Sequence, residues 1–146
     1  MNAAPTASAP PTVLRRTGPP LAALAAVAIP AGYVAVVDPN APGHYPDCPF
    51  LAATGWWCPG CGGLRCVHAL THGDLTGALH DNALAVLLFG VLAVLWLRWA
   101  WAALTGGRPV RVSVGGRRWA LILLLVLVFE VVRNLPVGAG LAPPVV

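Results

Sequence analysis

ALAVLLFGVLAVLWLRWAWAAL, residues 83 to 104, runs for 22 residues with Arg98 as its sole charge. Coiled into a helix at about 1.5 Å per residue, such a run is about as long as the ~30 Å hydrocarbon layer of a bilayer. Trp96, Trp99 and Trp101 gather near its C-terminal end, where an interfacial aromatic belt belongs, and Arg98 is placed to snorkel toward the headgroups. Asn82, just before the run, is a good N-cap. This stretch decides the fold: it is a transmembrane helix, and the rest of the chain must be organised around it.

The composition agrees. The 146-residue chain is 58% hydrophobic and only 10% charged, against about 25% charged in soluble domains. It allows one domain and cannot supply a soluble protein's polar surface. Its net charge of +4 comes from arginines alone on the basic side. They form no cluster interleaved with stacking aromatics, so nucleic acid is excluded as a partner; topology accounts for them better.

Outward from the central span, residues 119–135 form a second apolar stretch, uncharged from Trp119 to Phe129 and followed by Glu130 and Arg133. Residues 21–37 form another, 17 residues without a charge and with Pro30 and Gly32 inside, near the lower limit for a spanning helix. A cleaved signal peptide is the rival reading of this first segment, because it combines a basic flank, an apolar stretch and small residues. The retained helix is preferred. Residues 1–20, with five prolines and small polar residues, read as a disordered tail. Residues 136–146 are a Gly/Pro-rich C-terminal tail. The expected fold is therefore all-α, an integral membrane protein with three transmembrane helices.

Orientation follows from the arginines. Arg15 and Arg16 precede the first span, and Arg108, Arg111, Arg117 and Arg118 fall in the 105–118 loop, whereas the 38–82 loop has only Arg65. Positive charge in short loops marks the cytoplasmic side, so the N-terminus is expected inside and the 38–82 loop outside. That loop holds every cysteine, histidine and aspartate of the chain. Within it, residues 62–81 have the apolar spacing of short interfacial helices broken at Gly73. Arg98 and Glu130 then sit at opposite ends of antiparallel helices and should not pair. Arg133 or Arg65 is the expected ion-pair partner of Glu130, with a functional intramembrane carboxylate as the other reading.

The ordered string Cys48-Pro49-Phe50, Thr54-Gly55, Cys58-Pro59-Gly60-Cys61-Gly62, Arg65, His72-Gly73-Asp74-Leu75, Asn82 and Arg133-Asn134-Leu135-Pro136 resembles the domain-of-unknown-function 2752 family of small bacterial membrane proteins. The likeness covers roughly residues 44 to 136 and implies a multi-pass protein of a bacterial cytoplasmic membrane. It also implies a residue set in which Arg65, Gly73, Asp74, Asn82, Arg133 and Asn134 have structural or binding roles, with no reaction attached. Leu64, Cys66 and Ala83 depart from the family's usual residues, which sets Cys66 apart from any shared site.

Three chemistries fit the cysteines. Cys48, Cys58 and Cys61, with His68 and His72 in reserve, could hold a metal ion, zinc being the cofactor such donors take. The second CxxC or HxxxH pair of a zinc finger is absent, and Gly62 after Cys61 excludes CxxCH haem attachment. Cys58-Pro59-Gly60-Cys61 opening a helix could instead be a redox pair with a lowered first-cysteine pKa, Cys48 exchanging with it, though without a thioredoxin-like βαβ context. Disulfides outside the membrane could also simply staple the loop. No catalytic constellation beyond CxxC is present. The leading expectation is a non-enzymatic membrane module, surrounded by lipid, whose outer-face Cys/Arg site binds another membrane or secreted protein or is stapled by disulfide. The alternative is a thiol–disulfide or zinc-dependent protein. Arg133 and Asn134 fall at the same end as the cysteine loop, so distant motifs are expected to form one site.

Overall fold

A computed structural model describes residues 13–108, 113 and 115–143, and every regular element among them is helical. Helix α1 is Val13–Val36, α2 Pro49–Thr54, α3 Gly63–Thr71, α4 Leu75–Thr105 and α5 Gly116–Arg133, and a 3₁₀ helix covers Pro136–Leu141. The start of the expected N-terminal tail (1–12), part of the arginine loop including Arg111 (109–112 and 114) and the last residues (144–146) lie outside the described residues.

Two helices, α1 and α4, are long and apolar enough to cross a membrane. Helix α5 occupies the place of the third expected span, but Arg117, Arg118, Glu130 and Arg133 bracket its apolar run, and no third span is identified among the described residues.

Helix α5 takes in Gly116, Arg117 and Arg118 of the expected arginine loop and ends at Arg133 rather than Leu135; three further boundaries differ from the sequence reading. Helix α1 begins at Val13 rather than Leu21, taking in part of the expected tail. Pro19 and Pro20 do not prevent this, because proline's fixed φ is already helical and its cost is a missing donor and local crowding. Thr17 Oγ1 donates to Val13 O at 3.1 Å, and Trp96 Nε1 donates to Pro20 O at 2.9 Å, tying this end to α4. Helix α4 begins at Leu75 rather than Ala83: Asp74 N-caps it by accepting from Gly77 N at 2.8 Å. The helix breaks at Asn82 (φ −164, ψ 92) and resumes. Asn82 Oδ1 accepts from Ala85 N at 2.9 Å and so N-caps the second segment. The C-terminal stretch expected as a tail folds as a 3₁₀ helix. Gly138 lies so close to the Val132 carbonyl that a Cβ there would collide with it.

These contacts set the topology. Pro20 meets Trp96 at one end. At the other, His68 Nδ1 lies 2.9 Å from Val34 O and Arg133 reaches Asp81 O. Helices α1 and α4 are therefore antiparallel, as are α4 and α5. The C-terminal ends of α1 and α5, the α4 break and helix α3 share one end, and the C-terminal end of α4 and the start of α5 lie at the opposite one.

Polarity runs inside out. The largest fully buried side chains are Arg133, Asn82 and Cys66. Meanwhile Leu87, Leu88, Val91, Leu92, Leu97 and Leu121–Leu125 are all exposed. Exposing such an apolar exterior to water costs about 25 cal/mol per Å², and it is compatible with hydrocarbon.

Candidate cysteine site

The residues around the CxxC stretch form a chain of tight turns. Cys48 is the residue before α2, Pro49 starts that helix, and Gly55 ends it in the left-handed region (φ 72). This is the Pro-first, Gly-last signature of a short helix, legible in Cys48-Pro49…Thr54-Gly55 but not drawn from it in the sequence reading. Cys61 N donates to Cys58 O at 3.0 Å and Gly63 N to Gly60 O at 2.9 Å. Gly62 then leads into α3 at φ 81. A Cβ on Gly62 would strike the Asp81 carbonyl as well as being strained by the positive φ. Gly62→Ala is therefore expected to destabilise the loop by about 1–3 kcal/mol, read as a lowered thermal midpoint in detergent; an unchanged midpoint would refute the close approach.

This path brings together Cys48, Cys58 and Cys61, whose sulfurs all lie within 4.8 Å of one another. Cys58 Sγ is 2.6 Å from Cys61 Sγ and 3.6 Å from Cys48 Sγ. All are free cysteines. Their protons are held unequally. The Leu51 amide in the first turn of α2 and the Cys61 thiol lower the pKa of Cys48. Burial, with Cys58 and Cys48 close by, pushes the Cys61 thiol up to about 12.

Three side chains from elsewhere hold the loop. Arg133, at the end of α5 and 1% exposed, donates from Nη1 to Cys58 O at 3.0 Å. Its Nη2 donates to Cys61 O at 3.2 Å and to Asp81 O at 3.4 Å, and the guanidinium lies over the Phe129 ring. Asn134 pairs with the Trp57 main chain: Trp57 N donates to its Oδ1 at 2.7 Å, and its Nδ2 donates to Trp57 O at 2.9 Å. Asn82, fully buried at the α4 break, donates from Nδ2 to Pro59 O at 2.8 Å and to Cys61 O at 3.0 Å. The helix is interrupted where this amide is needed.

The other expected residues fall elsewhere. His68 and His72 do not join the sulfurs. His68 Nδ1 faces Val34 O, and its Nε2 is 3.8 Å from Asp38. His72 Nδ1 lies 2.8 Å from His68 O, and the two rings stack at 4.3 Å. The i,i+4 spacing sets the two rings side by side, and His68 faces the end of α1 and Asp38. Cys66 is fully buried and pushed up to about 11 by burial, then by the Asp81 charge; it lies outside the sulfur group. Gly73 ends α3 at φ 77, and Asp74 is the N-cap described above. Arg133 turns both Nη atoms to carbonyls, and its Nε and Glu130 Oε2 are both buried without a hydrogen-bond partner; the expected contact of Glu130 with Arg133 is therefore electrostatic and not a hydrogen-bonded pair.

The sulfurs open onto a cavity of about 490 Å³, whose wall includes Tyr45, Asp47, Trp57 and Arg65 together with all three cysteines. Arg65 thus stands at the site, and its charge acts on Asp81. Tyr45, whose hydroxyl donates to Val37 O at 3.0 Å, and Asp47 were not singled out from the sequence. They carry no spacing signal and reach the cavity only through the turn after Asp38.

Residues 48–96 match the family model described as protein of unknown function (DUF2752), so the family likeness is shown over the segment that holds the cysteines, α3 and most of α4. No curated protein matches the chain, and no solved structure matches it.

Proposed function

We propose that this chain is a membrane protein that binds a soft divalent metal ion, zinc by preference, through Cys48, Cys58 and Cys61 at its extracytoplasmic face. One observation carries the reading: three sulfurs within 4.8 Å of one another on a loop fixed by buried hydrogen bonds. Thiolates select zinc and similar soft ions. With Zn–S near 2.3 Å, a tetrahedral site has S···S edges of about 3.8 Å. The Cys48–Cys58 separation of 3.6 Å is close to that value; the Cys58–Cys61 pair, at 2.6 Å, would open on loading. Charge supports it too. Three thiolates and a divalent ion sum to −1, and the Arg133 guanidinium, whose charge acts on Cys61 and Cys58, offsets that.

The membrane setting rests on α1 and α4, with α5 as a third span. Its Trp119–Phe129 run is free of charge and its apolar side chains are exposed around the helix. Arg108, Arg117 and Arg118, at the end opposite the sulfurs, support an outside position for the cysteines by the positive-inside rule.

The short Cys58–Cys61 separation favours a second reading, a disulfide at that pair with Cys48 as a third, exchanging thiol. Purified protein separates the two. The metal reading expects one metal per chain and four thiols titratable after denaturation in chelator. The redox reading expects no metal and two thiols. Four free thiols that neither bind zinc nor form a disulfide under oxidant would sink both.

A further inference from the structure

We infer that the fourth coordination position of the Cys48–Cys58–Cys61 metal is filled from outside the chain, by a small anionic ligand, a thiolate above all, entering through the cavity at the sulfurs. The inference rests on the metal reading and adds what the site is for: it is an open, ligand-exchanging centre and not a closed structural one. Structural zinc sites have four protein donors, whereas sites that act on ligands have three and leave one position open.

The first argument is the absence of a fourth donor. Among the described residues the group contains three sulfurs and nothing else. The other ligand-type side chains nearby are turned elsewhere, sealed in the packing, or outside the group. His68 and His72 face Val34 O and His68 O, Cys66 is sealed in the α3 packing with no exposed surface, and Asp47 lines the cavity without belonging to the sulfur group.

Access is the second argument. Cys48, Cys58 and Cys61 all line the same cavity, and its roughly 490 Å³ falls in the range of small-molecule sites. A closed four-sulfur site would have no use for such a space beside it.

Charge is the third. A thiolate added to the three-thiolate zinc brings the centre to −2. Arg133 behind the loop and Arg65 in the cavity wall set positive charge against it, part of which the Asp47 carboxylate of the same wall offsets. A sulfur ligand also matches the softness of the ion better than an oxygen one. Binding forms one metal–sulfur bond, releases the thiol proton to solvent and changes no oxidation state.

Cobalt(II) replaces zinc as a spectroscopic probe. The full-length protein in detergent is loaded with cobalt and titrated with 2-mercaptoethanol, and separately with azide. Cobalt retained by the protein is measured after gel filtration. The expected result is a sulfur-to-cobalt absorption already present from three cysteines, which strengthens and saturates with the thiol while cobalt stays bound. Azide should shift the visible bands without adding to the sulfur absorption. Arg65→Gln should raise the thiol midpoint several-fold. A spectrum that neither ligand changes, or one with four-sulfur intensity before any ligand is added, overturns the open site while leaving the metal reading in place. No sulfur-to-cobalt absorption at all overturns the metal reading itself.

Discussion

Arg133→Ala is expected to unseat the cysteine loop and abolish metal retention, a larger effect than any single change in the loop's own turns. The guanidinium holds three carbonyls, those of Cys58, Cys61 and Asp81, from a position with almost no exposed surface. Hydrogen bonds to a charged group are each worth about 1.5–3 kcal/mol net, and stranding a buried acceptor costs a further ~1–3 kcal/mol. Even with partial relaxation, a loss of about 3 kcal/mol or more is expected. Arg133→Lys should rescue little, because an ammonium keeps the charge but cannot span the same carbonyls with a planar fork. The measurement is the thermal midpoint in detergent together with metal content after gel filtration. If the alanine variant keeps both, the guanidinium is not what seats the loop. If lysine restores both in full, charge alone is sufficient and the fork geometry is irrelevant.

Cys58→Ser should weaken metal binding by more than about 100-fold, since disturbing residues that merely support ligands already costs ~10–100-fold and the Cys58 sulfur lies within 3.6 Å of both others. Cys48→Ser and Cys61→Ser should behave alike. Cys66→Ser should keep the metal, because that sulfur stands outside the group; its cost should appear in thermal stability through a hydroxyl placed in a fully buried site. Competition with a chelator of known affinity gives all four values. Equal retention in all four variants would remove the three-thiolate site, and a loss at Cys66 equal to that at Cys58 would mean the ligand set had been misassigned.

The helices and the end of the molecule that carries the chemistry could be read from the sequence because they rest on local signals. The 83–104 run is long, apolar and ended by tryptophans, and Asn82 has the residue type and position of an N-cap; its Oδ1 has that role. Gly73 was legible as a break because glycine tolerates the left-handed backbone it adopts. The partition among the histidines was not legible. A spacing of four places His68 and His72 on one face of α3, but only tertiary structure decides whether that face meets the cysteines or, as found, Val34 and Asp38. The partner of Arg133 was hidden for the same reason. Sequence offered Glu130 as the nearest opposite charge, while the folded chain offered a ring of turn carbonyls that no composition or spacing announces. The start of α1 at Val13 escaped because a proline pair reads as tail in isolation and is held in a helix here with Trp96 bonded to its carbonyl.

Every hydrogen bond that Arg133, Asn134 and Asn82 make to residues 57–61 goes to the main chain: to Cys58 O and Cys61 O, to Trp57 N and O, and to Pro59 O and Cys61 O. Main-chain carbonyls are the same whatever side chain a residue carries, and the N–H is lost only at proline. The holding residues therefore do not read the identity of Trp57 or Pro59, only the path the backbone takes. The two halves of the arrangement should differ in mutational freedom. In a saturation scan, Asn82, Arg133 and Asn134 would be intolerant of nearly every change, while Trp57 and other wall positions could be exchanged to reshape the cavity with the sulfurs still in place. Such a chain can change what it accommodates without first redesigning what it is built on.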